Sequence, residues 1–326
     1  MNRVMYACVI ALFATIGTAC AAVPEGTPGP AKAPEGPPGI HKAPEVKSTK
    51  RVFAETVTDG LDYPWGLAFL PNTRALVTER TGQLRFINGN GKLSPPIAGV
   101  PKVDFSAQGG LLDVAVSPDF AKTNLIYLSY SEPRENGADG TTVARAKLIM
   151  EGQSARLENL EVIFRQEPSK WSEEHFGGRI LFTPDGSFFL TLGERAGWPQ
   201  EAQNPDNDLG KLVRLEADGR PYHGNPKLPG WKPEIWSIGH RNMQGAALHP
   251  VTGKLWTVEH GPMGGDEINH PEAGKNYGWP VITYGLNYDG TPIGAGGEKE
   301  GLEQPVYYWN PSIAPSSLAF YTGTRF

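Results

Sequence analysis

The chain has 326 residues, a formal charge of −5 and a pI near 5.9. That balance leaves no basic footprint for nucleic acid and no polybasic patch for a membrane surface. Forty glycines and 30 prolines, with 10% aromatic residues and eight tryptophans, argue against a helical bundle. They fit many short strands and turns around a core.

Arg3, an apolar run from Val4 to Ile16 and small residues up to Ala22 read as a secretory signal, 1–22. The apolar run is too short to span a bilayer. Cleavage can follow the A-x-A pattern at Ala19-Cys20-Ala21. Alternatively Cys20 is the lipidated residue of a lipoprotein, although Gly17 fits that signal poorly. The expected destination is the periplasm, either free or as an outer-membrane lipoprotein facing it. Both cysteines, Cys8 and Cys20, lie in this leader, so the remainder has no disulfide. Residues 23–50, rich in Pro, Gly, Ala, Glu and Lys, bury too little apolar surface to order themselves and read as a tether. The folded domain is expected over 51–326.

A loose internal repeat fills that domain. Residues 66–80, 111–132, 178–194 and 245–260 each read as an apolar strand, a Pro-initiated turn, a second apolar strand and a Glu. The prolines are Pro71, Pro118, Pro184 and Pro250, spaced 47, 66 and 66 apart; the glutamates are Glu79, Glu132, Glu194 and Glu259. Further short strands are expected at 82–87 and 211–215. One four-stranded unit per repeat, set radially, is a β-propeller. A fifth unit opens at 317–320. Because a propeller's last blade must meet its first, the sequence reads as about one blade short, or else as an open or smaller array.

Polar residues concentrate in the loops beside these strands. His175, after Glu174 and ahead of Gly177-Gly178, suits a proton acceptor, although the string by itself fits a surface His at a tight turn better. Arg241-Asn242 offers planar donors for carboxylates or a polarised carbonyl, or an Arg packed across a turn. Glu259-His260-Gly261-Pro262, with Asp266, Glu267 and Tyr277 beyond, suits a hard cation such as calcium, or is an acidic solvated loop. Zinc spacing is lacking. Gln108 sits in a turn before a strand, and Trp309 lies in an aromatic-proline loop able to wall a flat ligand. No nucleophile elbow, P-loop or Rossmann fingerprint fits.

The strings PWGLAFLP, QGGLLDVAVSPDF, HFGGRILFTPDG, LTLGER, GHRNMQG, EHGPMGGDEIN, NYGWPVITYG and PSIAPSS follow one another from Tyr63 to Ser317. Together they resemble the soluble aldose sugar dehydrogenases of the glucose/sorbosone dehydrogenase family, six-bladed propellers that use pyrroloquinoline quinone (PQQ) and calcium. The resemblance implies an enzyme that oxidises an aldose at its anomeric carbon to a lactone and passes electrons to an external acceptor. It implies His175 as general base and Glu174 as its acidic neighbour. Gln108 would contact sugar and cofactor, Arg241 and Asn242 the quinone oxygens, and Trp309 the cofactor plane. Carbonyls of Gly261 and Pro262 would hold the calcium at PQQ; Glu267 and Tyr277 match a second, structural calcium site. Glu194 stands where the family usually has Asp. A Lys and paired Arg that the family carries in its last blade have no counterpart in this sequence. The rival expectation is a non-catalytic, shortened propeller that binds a sugar or a protein partner.

Overall fold

The computed structural model describes residues 31–37, 39–43, 51, 53–71 and 74–325. The expected signal, 1–22, lies outside the described residues. Apolar strands broken by Pro- and Gly-led turns fold into antiparallel meanders. The first sheet is β1 (Pro64–Phe69), β2 (Ala75–Glu79) and β3 (Gln83–Ile87). The second is β4 (Leu111–Val116), β5 (Leu125–Pro133), β6 (Asp139–Glu151) and β7 (Ser154–Arg165), with one helical turn, α1 (Phe120–Thr123), between β4 and β5. The third is β8 (Gly177–Phe182), β9 (Phe188–Leu192), β10 (Lys211–Leu215) and β11 (Ile235–Ile238). The fourth is β12 (Met243–Leu248), β13 (Leu255–Glu259), β14 (Asp266–Asn269) and β15 (Tyr307–Trp309).

The first strands of these sheets, β1, β4, β8 and β12, neighbour one another in that order. The sheets therefore stand radially as blades, and the protein is an all-β propeller with four blades among the described residues. Its core lies between blades. Leu76, Phe86, Leu128 and Leu148 fill the first gap, and Tyr127, Phe188, Leu190 and Ile235 the second. Phe189, Leu212, Met243 and Leu255 fill the third. Each such side chain contributes about 1.5–3 kcal/mol by leaving water. At the axis, Arg179 ties four blades together: its Nη1 meets Asp113 Oδ1 at 2.8 Å, its Nε donates to the Gln244 carbonyl at 3.1 Å and its guanidinium lies 4.3 Å from the Trp65 ring centroid.

The repeat located both inner strands of every blade. It did not single out β6 and β7, the longest pair in the fold. Their sequence mixes charge into the strands, and those charges pair across the sheet, as Arg145 Nη2 does with Glu161 Oε2 at 2.8 Å. The expected fifth unit is only partly realised. Residues 317–320 run against β12, where a side chain at Gly245 would strike Leu318, and Phe320 packs 5.0 Å from His249. They join no sheet among the described residues.

Part of the segment expected to be a tether is docked. Gly36 N donates to the Tyr308 hydroxyl at 2.8 Å, and Tyr308 N donates to the Ile40 carbonyl at 2.8 Å. The His41 ring stacks on Tyr308 at 5.0 Å, and Tyr308 stacks on Tyr284 at 3.9 Å. A segment poor in apolar residues is held here by backbone hydrogen bonds and an aromatic stack supplied by blade four, which composition does not reveal.

Candidate active site

The strands alternate in direction, so the loops before β4, β8 and β12 and those after β9 and β13 meet at one end of the propeller. A cavity of about 710 Å³ opens there. It is walled by Glu174, His175, Glu194, Arg241, Pro262 and Trp279, with Tyr288 at its side. Sequence-distant residues from blades three and four thus converge on one space.

His175 is 6% exposed and enters β8 with φ of 53°, a left-handed backbone that few side chains adopt. Glycine makes that path possible. Gly177 has φ of 65°, and a Cβ at Gly193 would run into the His175 carbonyl. Nδ1 of His175 lies 2.6 Å from Glu194 Oε2, and Nε2 lies 3.9 Å from Glu174 Oε2. The first contact fixes the ring and leaves Nε2 as the nitrogen that serves the cavity. Gln108 is also brought here: its Oε1 accepts from His175 N at 2.9 Å.

Arg241 is buried, its Nη1 donating to the His260 carbonyl at 3.2 Å, and its guanidinium lies 5.3 Å from the Trp279 ring centroid. Arg241 Nε and Trp279 Nε1 are buried with no hydrogen-bond partner among the described residues. Two orphaned donors beside one cavity are costly unless a ligand satisfies them. Asn242 lies just behind, its Oδ1 accepting from Gly177 N at 3.1 Å and from Gln244 Nε2 at 2.9 Å. His260 donates through Nε2 to the Pro315 carbonyl at 3.0 Å; burial pulls its pKa down, so the ring is neutral there.

A second, much smaller cavity of about 10 Å³, room for about one small ion or water, adjoins the first. Glu259, Gly261, Glu267, Tyr277 and Trp279 line it. Burial, then the neighbouring Glu259, raises the Glu267 carboxyl to about 8. Glu259 is buried too, but His240, the Arg241 N–H and Asn269 outweigh that and hold it below the usual range. The carbonyls of Gly261, Pro262 and Tyr277 accept no hydrogen bond among the described residues. Carbonyl oxygens with a reluctant carboxylate are donors for a hard cation. No cluster of three His, Cys, Asp or Glu side chains could hold a metal among the described residues, so a cation here would rest largely on backbone oxygen.

The structure adds detail at two of the expected residues. Trp309 lies outside the large cavity. It belongs to β15, the outermost strand of its blade, where its carbonyl accepts from Gly265 N at 2.8 Å and its ring packs edge-on against Tyr307 at 5.1 Å. The tryptophan that faces the cavity is Trp279. The Tyr277 side chain is also committed elsewhere: its hydroxyl donates to the His270 carbonyl at 2.6 Å and accepts from Glu272 N at 3.0 Å. Only its backbone carbonyl is free for a cation. Glu194 was visible as a member of the repeat but not as the partner of His175. A signal existed, because His175–Glu194 and His240–Glu259 share a spacing of 19 residues.

A radial β fold with a His–carboxylate pair, a buried Arg and carbonyl-rich loops at one end defines a propeller with an enzyme-like polar centre. Residues 61–326 match the Glucose / Sorbosone dehydrogenase family model, and the chain belongs to that family of oxidoreductases. It is 46% identical over 280 residues to the aldose sugar dehydrogenase YliI of Escherichia coli, covering 84% of this chain and 75% of that one. The solved apo-form of the E. coli soluble aldose sugar dehydrogenase superposes with a TM-score of 0.80 over 83% of this chain and 79% of that chain. The PQQ-bound aldose sugar dehydrogenase of Streptomyces coelicolor, 32% identical, gives 0.69 over 82% of this chain and 74% of that one.

Proposed function

We propose that this protein is a PQQ- and calcium-dependent dehydrogenase that oxidises an aldose at its anomeric carbon to the lactone. The observation that carries the reading is His175, fixed through Nδ1 by Glu194 at 2.6 Å, with Nε2 turned to a cavity shared with Arg241.

The residues present fit both groups. Unpartnered donors on Arg241 and Trp279 suit quinone oxygens or carboxylates, and the free carbonyls of Gly261 and Pro262 with Glu267 suit calcium. When bound, PQQ supplies the acceptor for the hydride of the sugar's C1–H bond, and calcium the Lewis acid that polarises it. The chain's own part is proton handling and charge. His175 Nε2 takes the proton of the anomeric hydroxyl, and Glu194 stabilises the imidazolium that results. Arg241, held in place by the His260 carbonyl, offers positive charge where negative charge develops. Gln108 and Asn242 orient the His175 loop from behind, and Trp279 and Tyr288 exclude water from the cavity.

The four blades fit a six-bladed ring, supported by residues 317–320 running beside β12 where a fifth inner strand would stand. The residue pattern of 1–22 supports export to the periplasm, with Cys20 as a possible point of lipid attachment. Electrons would then leave to an acceptor outside the cytoplasm.

The test is glucose-dependent dye reduction by the purified chain supplied with PQQ and calcium. Turnover that vanishes in His175→Ala sustains the reading. An equal rate in that variant sinks the base assignment.

A further inference from the structure

The residue after Glu194 is a guanidinium sealed from solvent. Arg195 is 0% exposed and reaches back into the loop that carries His175. Its Nε donates to the Glu174 carbonyl at 3.0 Å, and its Nη2 donates to the Ser172 carbonyl. The same Nη2 meets Asp139 Oδ1, at the head of β6 in the neighbouring blade, at 2.5 Å. The guanidinium carbon lies 3.7 Å from the Phe176 ring centroid, on the other side of His175. One planar group therefore touches residues 172, 174 and 176 and anchors all three to blade two. A rigid fork with several donors can do this; a point charge on a flexible stem cannot.

The backbone shows why such a clamp is needed. His175, Arg195 and Ala196 have φ of 53°, 66° and 53°, three left-handed non-glycine residues in two touching loops. Such conformations persist only where the surroundings hold them. Glu194 fixes the ring of His175 but grips no part of the 172–174 backbone. Gln108 accepts from the His175 N–H, yet Gln108 itself is exposed. Thr141, buried in β6, donates to the Phe176 carbonyl at 2.7 Å at the far end of the loop, while Arg195 is the buried side chain that reaches the Ser172 and Glu174 carbonyls.

We infer that Arg195 is a positioning residue for His175, holding loop 172–176 against blade two so that the imidazole stays aimed at the cavity. The inference rests on the reading of His175 as the base, but the hold on the loop can be measured without turnover.

Arg195→Met, Arg195→Lys and Asp139→Asn are compared with the parent chain by amide hydrogen exchange over 172–177 and by the ring resonances of His175. Then kcat and KM follow with PQQ, calcium and glucose. In Arg195→Met, exchange in that loop should rise about tenfold or more while the blade strands keep their protection. The His175 resonances should broaden or move. In turnover, kcat should fall about 10- to 100-fold, as misplacement of a reacting group does, with KM close to the parent value. Arg195→Lys should keep the overall fold and the charge facing Asp139 but recover only part of the loop protection. Asp139→Asn, which removes the anchor, should loosen the loop less than Arg195→Met.

Parent-like loop exchange and an unmoved His175 resonance in Arg195→Met would overturn the inference, even if kcat fell. If Arg195→Met does not fold, the same two readings on Arg195→Lys decide it. A parent chain that binds PQQ and calcium but never oxidises sugar would defeat the base assignment for His175, while loop exchange would still settle what Arg195 holds.

Discussion

Blades three and four contain the same device put to different uses. In each, a His at the mouth of the inner strand meets, through Nδ1, a Glu 19 residues on, at the end of the second strand. The His175–Glu194 contact is 2.6 Å and the His240–Glu259 contact is 3.1 Å. Nε2 separates them. In blade four it lies 2.8 Å from Ser237 Oγ, the ring stacks on Tyr277 at 5.0 Å, and the side chain is 0% exposed. In blade three no hydrogen-bond partner caps Nε2 among the described residues; Glu174 Oε2 lies 3.9 Å away and the nitrogen serves the cavity. A His–Glu pair is thus a structural tie when both nitrogens are satisfied and a candidate base when one is left over.

That contrast can be broken most sharply with the two histidines. His175→Ala should lower kcat about 10³- to 10⁴-fold. His240→Ala should lower kcat far less. Each variant strands a buried carboxylate, Glu194 or Glu259, and each should cost about 1–3 kcal/mol by denaturant titration. Similar losses of kcat in the two variants would erase the distinction.

The two carboxylates give the next largest effect. Glu194→Gln removes the charge that stabilises imidazolium, and kcat should drop about 10²- to 10⁴-fold. Glu259 accepts from Arg241 N at 2.8 Å and Asn269 Nδ2 at 3.0 Å as well as facing His240. Glu259→Gln should therefore lower stability and cofactor affinity together, read by thermal unfolding and PQQ titration.

The proposed calcium would fall on blade four's side of the comparison. Calcium at about 100 times its Kd should add about 2.7 kcal/mol of stability, and chelation should remove it. Glu267→Gln should abolish most of that calcium-dependent shift in melting temperature, whereas Glu194→Gln should leave it intact.

The smallest effect concerns the footing beneath His240. Gly210 O accepts from His240 N at 3.1 Å. Next to it, buried Lys211 donates through Nζ to the Glu201 and Leu209 carbonyls at 2.7 and 2.5 Å. Burial pulls the Lys211 ammonium down to about 7. Between about 7 and the ordinary 10.5 the unfolded chain therefore binds more protons, and stability rises with pH through that window. In Lys211→Met this rise, followed by urea midpoints from pH 7 to 9.5, should flatten.

Much of this was legible in the residues. Strand, Pro-led turn, strand and Glu recur because each blade must present apolar faces to two neighbours, and that demand is local and periodic. His175, Arg241 and the Gly261-Pro262 loop stood out only through the family resemblance, because each string by itself fits an ordinary surface turn or packed loop. Trp309 was less legible, because an aromatic-proline string reads alike at an axis and at an outer edge. Arg195 gave no signal, since a buried cation looks like a surface one until its partners in other blades are known.

Composition and the repeat by themselves determined an array of β blades, because these depend on nearest neighbours along the chain. Only the tertiary structure decided which of two equivalent His–Glu pairs faces a cavity and which tryptophan walls it. It also decided that Gly36, Ile40 and His41 dock on blade four. Those outcomes depend on contacts between residues tens to hundreds of positions apart, and radial packing alone brings such residues together.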